Sequence, residues 1–467
     1  MLDAAHGASL ARRAVATRRE RVSFPAMSDS SATVPADTGS ETPAALVQAV
    51  VELGTRRPIR TSQAIYNTQG VKLLEGGVTI DRSLYDRLLS HRLALPLDEC
   101  IDASPGVDAR VLGDAARAAV ARWPFFGRVA PADAAGREVL DALASLRLPQ
   151  PIALHLTLAR ETRPALFDHS ILMALLAGHL VGAAGGTKSQ IGAAAAAGLL
   201  HDLGMLHIGA ELLDSEERLS GDELKPVYVH PLTSSMLVDR FADYPKEIVR
   251  AIVEHHERLD GSGYPRGLSG DAMSPLGRVL ALAEVVTAMF DGQRQLPEQR
   301  VSLLLRINPR RYDPFHVAAV HRLLAVPTAP GDGAGIDAAP LIARLLQLTD
   351  VLARWRDSSA AIGHALEGAH AALFRSVDEQ NATLQRMLYD AGVTREQLAA
   401  IAGEVGDDIG LRIELWALAE ELLWQLHAAA NQIKRRWQAV QASAPHPPAL
   451  AAWFDAVAAL DEAKAPA

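Results

Sequence analysis

The stretch from His201 to Pro265 constrains this chain more than any other. It holds His201-Asp202-Leu203-Gly204, then His230-Pro231, then Glu254-His255-His256-Glu257-Arg258-Leu259-Asp260-Gly261-Ser262-Gly263-Tyr264-Pro265. Helical patterning surrounds each group. Imidazoles and carboxylates are the usual ligands of catalytic divalent metals. Taken singly, each of these histidines reads as a surface residue or a hydrogen-bonded core residue; it is their combination that points to a metal.

The flanking segments place these side chains on helices. Asp168 is a fair N-terminal residue for a helix on which His169, Met173 and Ala177 share one apolar face. A helix over 188–202 starts near Thr187 or Ser189, runs through small residues that let neighbouring helices approach, and ends at Gly204 as a left-handed terminator. His201 and Asp202 therefore sit at its C-terminal edge. Neighbouring residues lie about 100° apart around a helix, so both reach one metal only there. A carboxylate has two oxygens and can bridge two metals, which gives a chemical use for an Asp directly after the His. His230 opens another helix, and a helix over 245–257 ends in His255 and His256. Asp260-Gly261-Ser262-Gly263 reads as a turn. In a helix over 275–290, Leu276, Leu280 and Glu284 fall on one stripe. A carboxylate on an apolar stripe is costly unless it is paired or metal-bound.

In this order, His169, His201-Asp202, His230, His255-His256 and Glu284 resemble the HD phosphohydrolase superfamily. Gly263-Tyr264-Pro265, following the His-His-Glu-Arg run, narrows the resemblance to the HD-GYP family. The resemblance runs from about residue 150 to 326, and 255–268 is its most specific part. It implies an all-helical domain with two or three metal ions that hydrolyses the bacterial second messenger cyclic di-GMP. Carried over residue by residue, the metal ligands are His169, His201, Asp202, His230, His255, His256 and Glu284, with His201 and Asp202 at the catalytic centre. Gly263, Tyr264 and Pro265, with Arg258 and Arg266, are implied to face substrate. The expected partition sets His169, His201, Asp202 and Glu284 around one metal, and Asp202, His230, His255 and His256 around the second. Manganese or iron suits such mixed ligands, and zinc is an alternative.

Departures from the family shape the functional expectation. The family's His-Asp-x-Gly-Lys reads His201-Asp202-Leu203-Gly204-Met205 here, so a Lys implied to touch phosphate or donate a proton is replaced by Met. Glu284 stands for a metal-binding Asp, one methylene longer. Thr287 stands for an Asp three residues on, and Gly292-Gln293-Arg294-Gln295 replaces Asp-Arg-Pro-Tyr. Ala165 stands where a Glu precedes His169 by four residues. Two metals are therefore expected rather than three. Two function classes follow: a cyclic di-GMP phosphodiesterase, or a catalytically weak module that binds metal or nucleotide and signals through protein contacts.

At 467 residues the chain is expected to hold two or three domains. Residues 1–45, rich in Ala, Ser, Thr, Pro and Arg, are expected to be disordered. No apolar stretch follows their Arg cluster as a leader peptide would require, and Met27 is an alternative start. Residues 46–104 read as a small β-rich module with turns at Asn67-Thr68-Gln69-Gly70 and Glu75-Gly76-Gly77, with Asp81 opening a helix whose face is Leu84, Leu88 and Leu89. A helical connector spans 105–149, and the HD-GYP domain 150–326. A Pro/Gly-rich loop from Pro327 to Pro340 precedes a helical region over 340–443, where Leu345, Leu348, Leu352 and Trp355 form one stripe and Leu411, Leu415, Leu418, Leu422 and Leu426 another. A tail, 444–467, ends the chain. The fold class is thus mainly α, a helical HD-type metallohydrolase core with a β-hairpin module and a C-terminal helical extension.

The formal charge of -9 gives no field for bulk nucleic acid. The one cysteine, Cys100, excludes an intrachain disulfide framework and suits a reducing cytoplasm. The run 170–186 reads as a buried helix, too short and mild to span a bilayer. The partners expected are cyclic di-GMP or a related nucleotide, and a homodimer or signalling protein engaged through the C-terminal helices.

Overall fold

A computed structural model of the chain describes residues 44–80, 84, 88, 90–131, 134–209, 225–290, 297–308, 310–324, 337–364, 366, 368–390, 393–395, 397–398, 409–440 and 446–462. The chain is mainly helical, with two small two-stranded sheets. Among the described residues it divides into two compact units, one of residues 44–290 and 310–323, the other of 297–308 and 324–462. The 1–43 segment, Met27, Asp81, Leu89 and the 292–295 run lie outside the described residues.

The first unit opens with helix α1 (Ala44–Arg56). This helix falls within the 46–104 range that the sequence suggests is β-rich. Leu46, Ala49, Val50 and Leu53 fall at i, i+3, i+4 and i+7, and the helix buries that face. Strands β1 (Arg60–Thr61), β2 (Ile65–Tyr66) and β3 (Lys72–Leu74) follow, then α2 (Leu97–Cys100) and β4 (Ile101–Asp102). β2 and β3 pair antiparallel, Ile65 opposite Leu74, and β1 pairs with β4. The Asn67 side chain closes the hairpin turn by accepting from the N–H groups of Gln69 (3.0 Å) and Val71 (2.8 Å). Arg240 fastens this module to the helices through Asp98 at 2.8 Å.

The first unit's helices are α3 (Ala109–Arg122), α4 (Pro124–Val129), α5 (Ala134–Ala144), α6 (Gln150–Thr162), α7 (Pro164–Ala183), α8 (Lys188–Leu200), α9 (Lys225–Asp239), α10 (Lys246–Glu254), α11 (Pro275–Thr287) and α13 (Pro314–Leu323), while α12 (Pro297–Ile307), between α11 and α13 in the chain, belongs to the second unit. α7 begins at Pro164 rather than Asp168, because proline at the first helical position loses no hydrogen bond. His169 therefore lies in the second turn. α7 is also longer than the sequence reading allowed. Its 20 residues are apolar enough to cross a membrane by length and composition, yet 67% of that stretch is buried inside the protein and it carries His169. It packs as a core helix, against the buried Ala194–Ala197 face of α8.

α8 starts in a capping box between Thr187 and Gln190 and passes through His201 and Asp202 into a 3₁₀ turn, Leu203–His207. Gly204 is not a left-handed terminator. It is small because α9 passes against it: a Cβ there would lie 2.5 Å from the His230 carbonyl oxygen. Its N–H donates to Ser234 Oγ at 2.8 Å.

The second unit consists of α12 with α14 (Ala338–His364), α15 (Gly368–Asp390), α16 (Ile409–Val440) and α17 (Pro448–Glu462). Leu345, Leu348, Leu352 and Trp355 of α14 share one core with Leu415, Leu418, Leu422 and Leu426 of α16. The expected tail is largely helix α17. Leu450, Trp453, Phe454, Val457 and Leu460 recur every three or four residues and are buried. Trp453 meets Trp355 edge-on, centroids 4.6 Å apart.

Candidate metal centre

Five helices deliver seven candidate metal-binding side chains to one buried place. α7 supplies His169, the end of α8 His201 and Asp202, α9 His230, the end of α10 His255 and His256, and α11 Glu284; all are buried. His230 sits inside α9, in its second turn, rather than at its start. Two groups form, Asp202 with His230, His255 and His256, and His169 with His201 and Glu284. Within each group one ligand atom per residue lies within 4.8 Å of all the others, close enough to share a metal ion.

Asp202 joins the groups. Its Oδ1 is 2.9 Å from His230 Nε2 and 3.5 Å from His255 Nε2, while Oδ2 is 3.4 Å from His201 Nε2. Glu284 Oε2 lies 3.0 Å from His169 Nε2 and 3.5 Å from His201 Nε2.

The backbone sets the tautomers. Nδ1 of His201 donates to the Gly198 carbonyl at 2.8 Å and Nδ1 of His255 to the Ile252 carbonyl at 2.6 Å. Nδ1 of His230 donates to the Val227 carbonyl in the same way. A carbonyl can only accept, so each Nδ1 carries the proton and each Nε2 of a neutral ring presents a lone pair. His230 Nε2 and His255 Nε2 nevertheless face each other at 3.1 Å. His201 Nε2, Asp202 Oδ1 and His256 Nδ1 are buried with no hydrogen-bond partner. A buried polar atom without a partner costs about 1–3 kcal/mol. Converging acceptors of this kind fit a cation between them.

The electrostatics agree. Burial pushes the His255 pKa down to about 4, and burial with the neighbouring His255 pushes His256 well below the usual imidazole range. Both are therefore neutral ligands at neutral pH. Burial opposes charge on Asp202 and Glu284, but the histidines against them outweigh it and hold both carboxyls well below their ordinary values. Burial also opposes charge on His201, yet Asp202 and Glu284 raise it to about 9. Without a metal, His201 holds a proton where the cation would sit.

The loop after His256 is built from its own backbone. Glu257 accepts from the N–H groups of Arg266 (2.7 Å) and Leu268 (2.9 Å), and Asp260 from Ser262 at 2.9 Å. Gly263 packs so close that a Cβ would lie 2.4 Å from Glu257 Cα. Tyr264, half-buried, stacks on His256 with centroids 4.6 Å apart. Burial, then Tyr228, Glu284 and Asp202, raise its phenol well above the usual value, so it stays a donor. Pro265 is half-buried and Arg266 exposed. Arg258 differs from the expectation of a substrate contact. It is buried, donates to the His255 and Glu257 carbonyls at 3.3 and 2.7 Å, and stands over the Tyr312 ring, so it supports the loop.

The departures have clear places. Met205 is 3% exposed and packs with Ile208, Val227 and Leu166. Thr287 is buried and donates to its own helix, to the Ala283 carbonyl at 2.8 Å. Sequence reasoning missed Arg163, which clamps the 3₁₀ turn through the Met205 and Ile208 carbonyls, both at 2.6 Å. It also missed Tyr228, whose ring meets Tyr264. Neither residue lies in a motif, and no spacing marks them.

Comparison with known proteins gives the same class. The model of the HD domain matches residues 140–314. A 3′3′-cGAMP-specific phosphodiesterase of Vibrio cholerae (number 1) is 36% identical over 123 residues, 26% of this chain and 28% of that protein. Another from the same organism (number 3) is 34% identical over 93 residues, 20% of each chain. A cyclic di-GMP phosphodiesterase of Pseudomonas aeruginosa is 33% identical over 93 residues, 20% of this chain and 22% of that protein. The chain thus matches between a fifth and about a quarter of these relatives' lengths. The helical frame and its His/Asp centre define an HD domain. With Gly263-Tyr264-Pro265 beside these side chains, the domain is similar to HD-GYP proteins.

Proposed function

We propose that this protein is a metal-dependent phosphodiesterase that opens a cyclic dinucleotide, with cyclic di-GMP or 3′3′-cGAMP as substrate, and that it acts in cytoplasmic second-messenger signalling. One observation carries the metal part: His230 Nε2 and His255 Nε2 face each other at 3.1 Å while both Nδ1 protons are committed to carbonyls. The substrate class rests on the relatives named above, each of which is called a phosphodiesterase of one of these two nucleotides.

In this reading Asp202, His230, His255 and His256 would hold one ion, and His169, His201 and Glu284, with Asp202 adjoining, would hold the other. Manganese or iron fits the donor set, with zinc as an alternative. Bound ions of this kind lower the pKa of a shared water and neutralise charge on phosphate. The chain's own residues do the rest. Carbonyl anchors keep Nε2 of His201, His230 and His255 aimed inward. Tyr264 keeps its phenolic proton and can donate it to a phosphate oxygen. Arg266 offers an exposed cation on the same loop. Asp202 and Glu284 stay ionised as ligands.

Met205 favours a second reading, a slow or inactive module that binds metal or nucleotide and signals through its helical second unit, alone or as a homodimer. A side chain packed with Ile208 and Val227 supplies neither a proton nor a charge to phosphate. One experiment separates the two. Protein reconstituted anaerobically with manganese or iron is incubated with cyclic di-GMP and with 3′3′-cGAMP, and products are resolved by chromatography. Linear dinucleotide from either substrate supports the enzyme. Nucleotide binding without product supports the signalling module. Neither binding nor product sinks both.

A further inference from the structure

Three of the four histidines at the ends of α8 and α10 and within α9 are oriented by the backbone; His256 is not. His201, His230 and His255 each tie Nδ1 to a carbonyl three residues earlier. The ring of His256 has no such carbonyl anchor, and its buried Nδ1 is one of the unpartnered atoms that would face the cation. A metal must lie near the plane of the imidazole that binds it, so something else has to fix the plane of His256.

Ring contacts do so. Tyr264 lies nearly flat on His256, planes at 27° and centroids 4.6 Å apart. Tyr228 meets Tyr264 edge-on, at 85° and 4.8 Å. His256 in turn meets His230 edge-on, at 86° and 5.0 Å. Tyr228 and His230 both belong to α9, so the four rings form a circuit that leaves this helix and returns to it. Edge-to-face and offset stacked arrangements are the favoured geometries of aromatic pairs. Tyr228 is itself held, 6% exposed, by the helix that carries the ligand.

We propose that Tyr228 is a positioning residue for the metal held by Asp202, His230, His255 and His256. Its ring edge seats Tyr264 on His256 and thereby fixes the imidazole plane. This rests on the metal-centre reading above. The phenol oxygen of Tyr228 has no part in it; the ring does the work.

The test is metal content measured by equilibrium dialysis against manganese with elemental analysis, and by visible absorption of the cobalt-substituted protein. Wild type should hold two ions per chain. Tyr228→Phe keeps the ring and should hold two ions with affinity within twofold of wild type. Tyr228→Leu removes the ring edge. It should weaken one of the two ions at least tenfold, leave the other unchanged, and alter the cobalt spectrum. Should Tyr228→Leu fail to fold, Tyr228→Met fills similar space without a ring and gives the same reading. A ringless variant holding both ions as tightly as wild type, with an unchanged cobalt spectrum, overturns the proposal and leaves the function standing. A wild type that holds fewer than two ions overturns both.

Discussion

His230 and His255 turn their Nε2 atoms toward each other at 3.1 Å, while Nδ1 of each is bonded to a carbonyl. Two lone pairs at that distance repel unless a cation or proton lies between them. Metal should therefore stabilise the fold. A ligand at a hundredfold its Kd contributes about 2.7 kcal/mol, a rise in Tm of roughly 5–10 °C for a domain of this size. Melting with manganese and with chelator checks this, and equal midpoints would refute the metal assignment. In His255→Ala most of the difference should vanish.

The proton on His201 gives a pH dependence. Its pKa is raised from 6.5 to about 9 in the folded, metal-free protein. A raised folded pKa stabilises fully below the unfolded value and is lost as pH rises through the folded one. Metal-free protein should thus lose roughly 3 kcal/mol of stability from this group between pH 6.5 and 9. Metal must displace the same proton, so its affinity at the His169, His201 and Glu284 group should rise about tenfold per pH unit over that window. Calorimetry in buffers of different ionisation enthalpy would count the released proton. A flat profile from pH 7 to 9 would show that His201 is neutral before metal arrives.

Met205→Lys tests the departure from the family. The native side chain is 3% exposed among Ile208, Val227 and Leu166. An unpaired ammonium there should cost about 2–4 kcal/mol, lowering Tm by roughly 5–15 °C, with metal content unchanged and no gain in rate. Melting and turnover measured together decide it. A faster mutant with the wild-type midpoint would mean that residue 205 reaches the phosphate.

Glu257 ties down the Gly-Tyr-Pro loop. Glu257→Ala leaves the Arg266 and Leu268 N–H groups without their acceptor, at about 1–3 kcal/mol each where they are shielded from water. Hydrogen exchange at these two amides should accelerate at least tenfold, with little change at His169 or Glu284. Unchanged exchange would show that Gly263 and Asp260 hold the loop by themselves.

The seven candidate ligands stood out in the sequence because metal chemistry demands rare residue types in one order, and all but His230 lie at a helix end or on an apolar stripe. Their supports were not. The carbonyl anchors at Gly198, Val227 and Ile252 are backbone groups and leave no trace in residue identity. Gly204 was legible as special but for the wrong reason, since close approach and positive φ both select glycine. Arg258 has the chemistry of a phosphate contact, and only its burial shows that it serves the backbone. α17 had a readable apolar period that its position after a Pro-rich stretch obscured.

The Pro/Gly-rich loop before residue 340 suggests that truncation after Gly335 would leave the HD-GYP domain whole. α12 argues otherwise, because its partners lie in the second unit. Leu303 packs against that core, and Arg300 stands over the Trp416 ring at 4.7 Å and 3.5 Å from Glu420. A chain ending at 335 keeps α12 but loses α16, so Leu303 would face water. Removing α12's apolar contacts should cost it its protection, at roughly 25 cal/mol per Å² newly exposed. Limited proteolysis should cut the truncated chain within 297–307 and spare those bonds in the full chain. Metal content should remain, because none of the seven candidate ligands lies in the second unit. A truncated chain as resistant as the full one across 297–307 would show that α12 folds without α16.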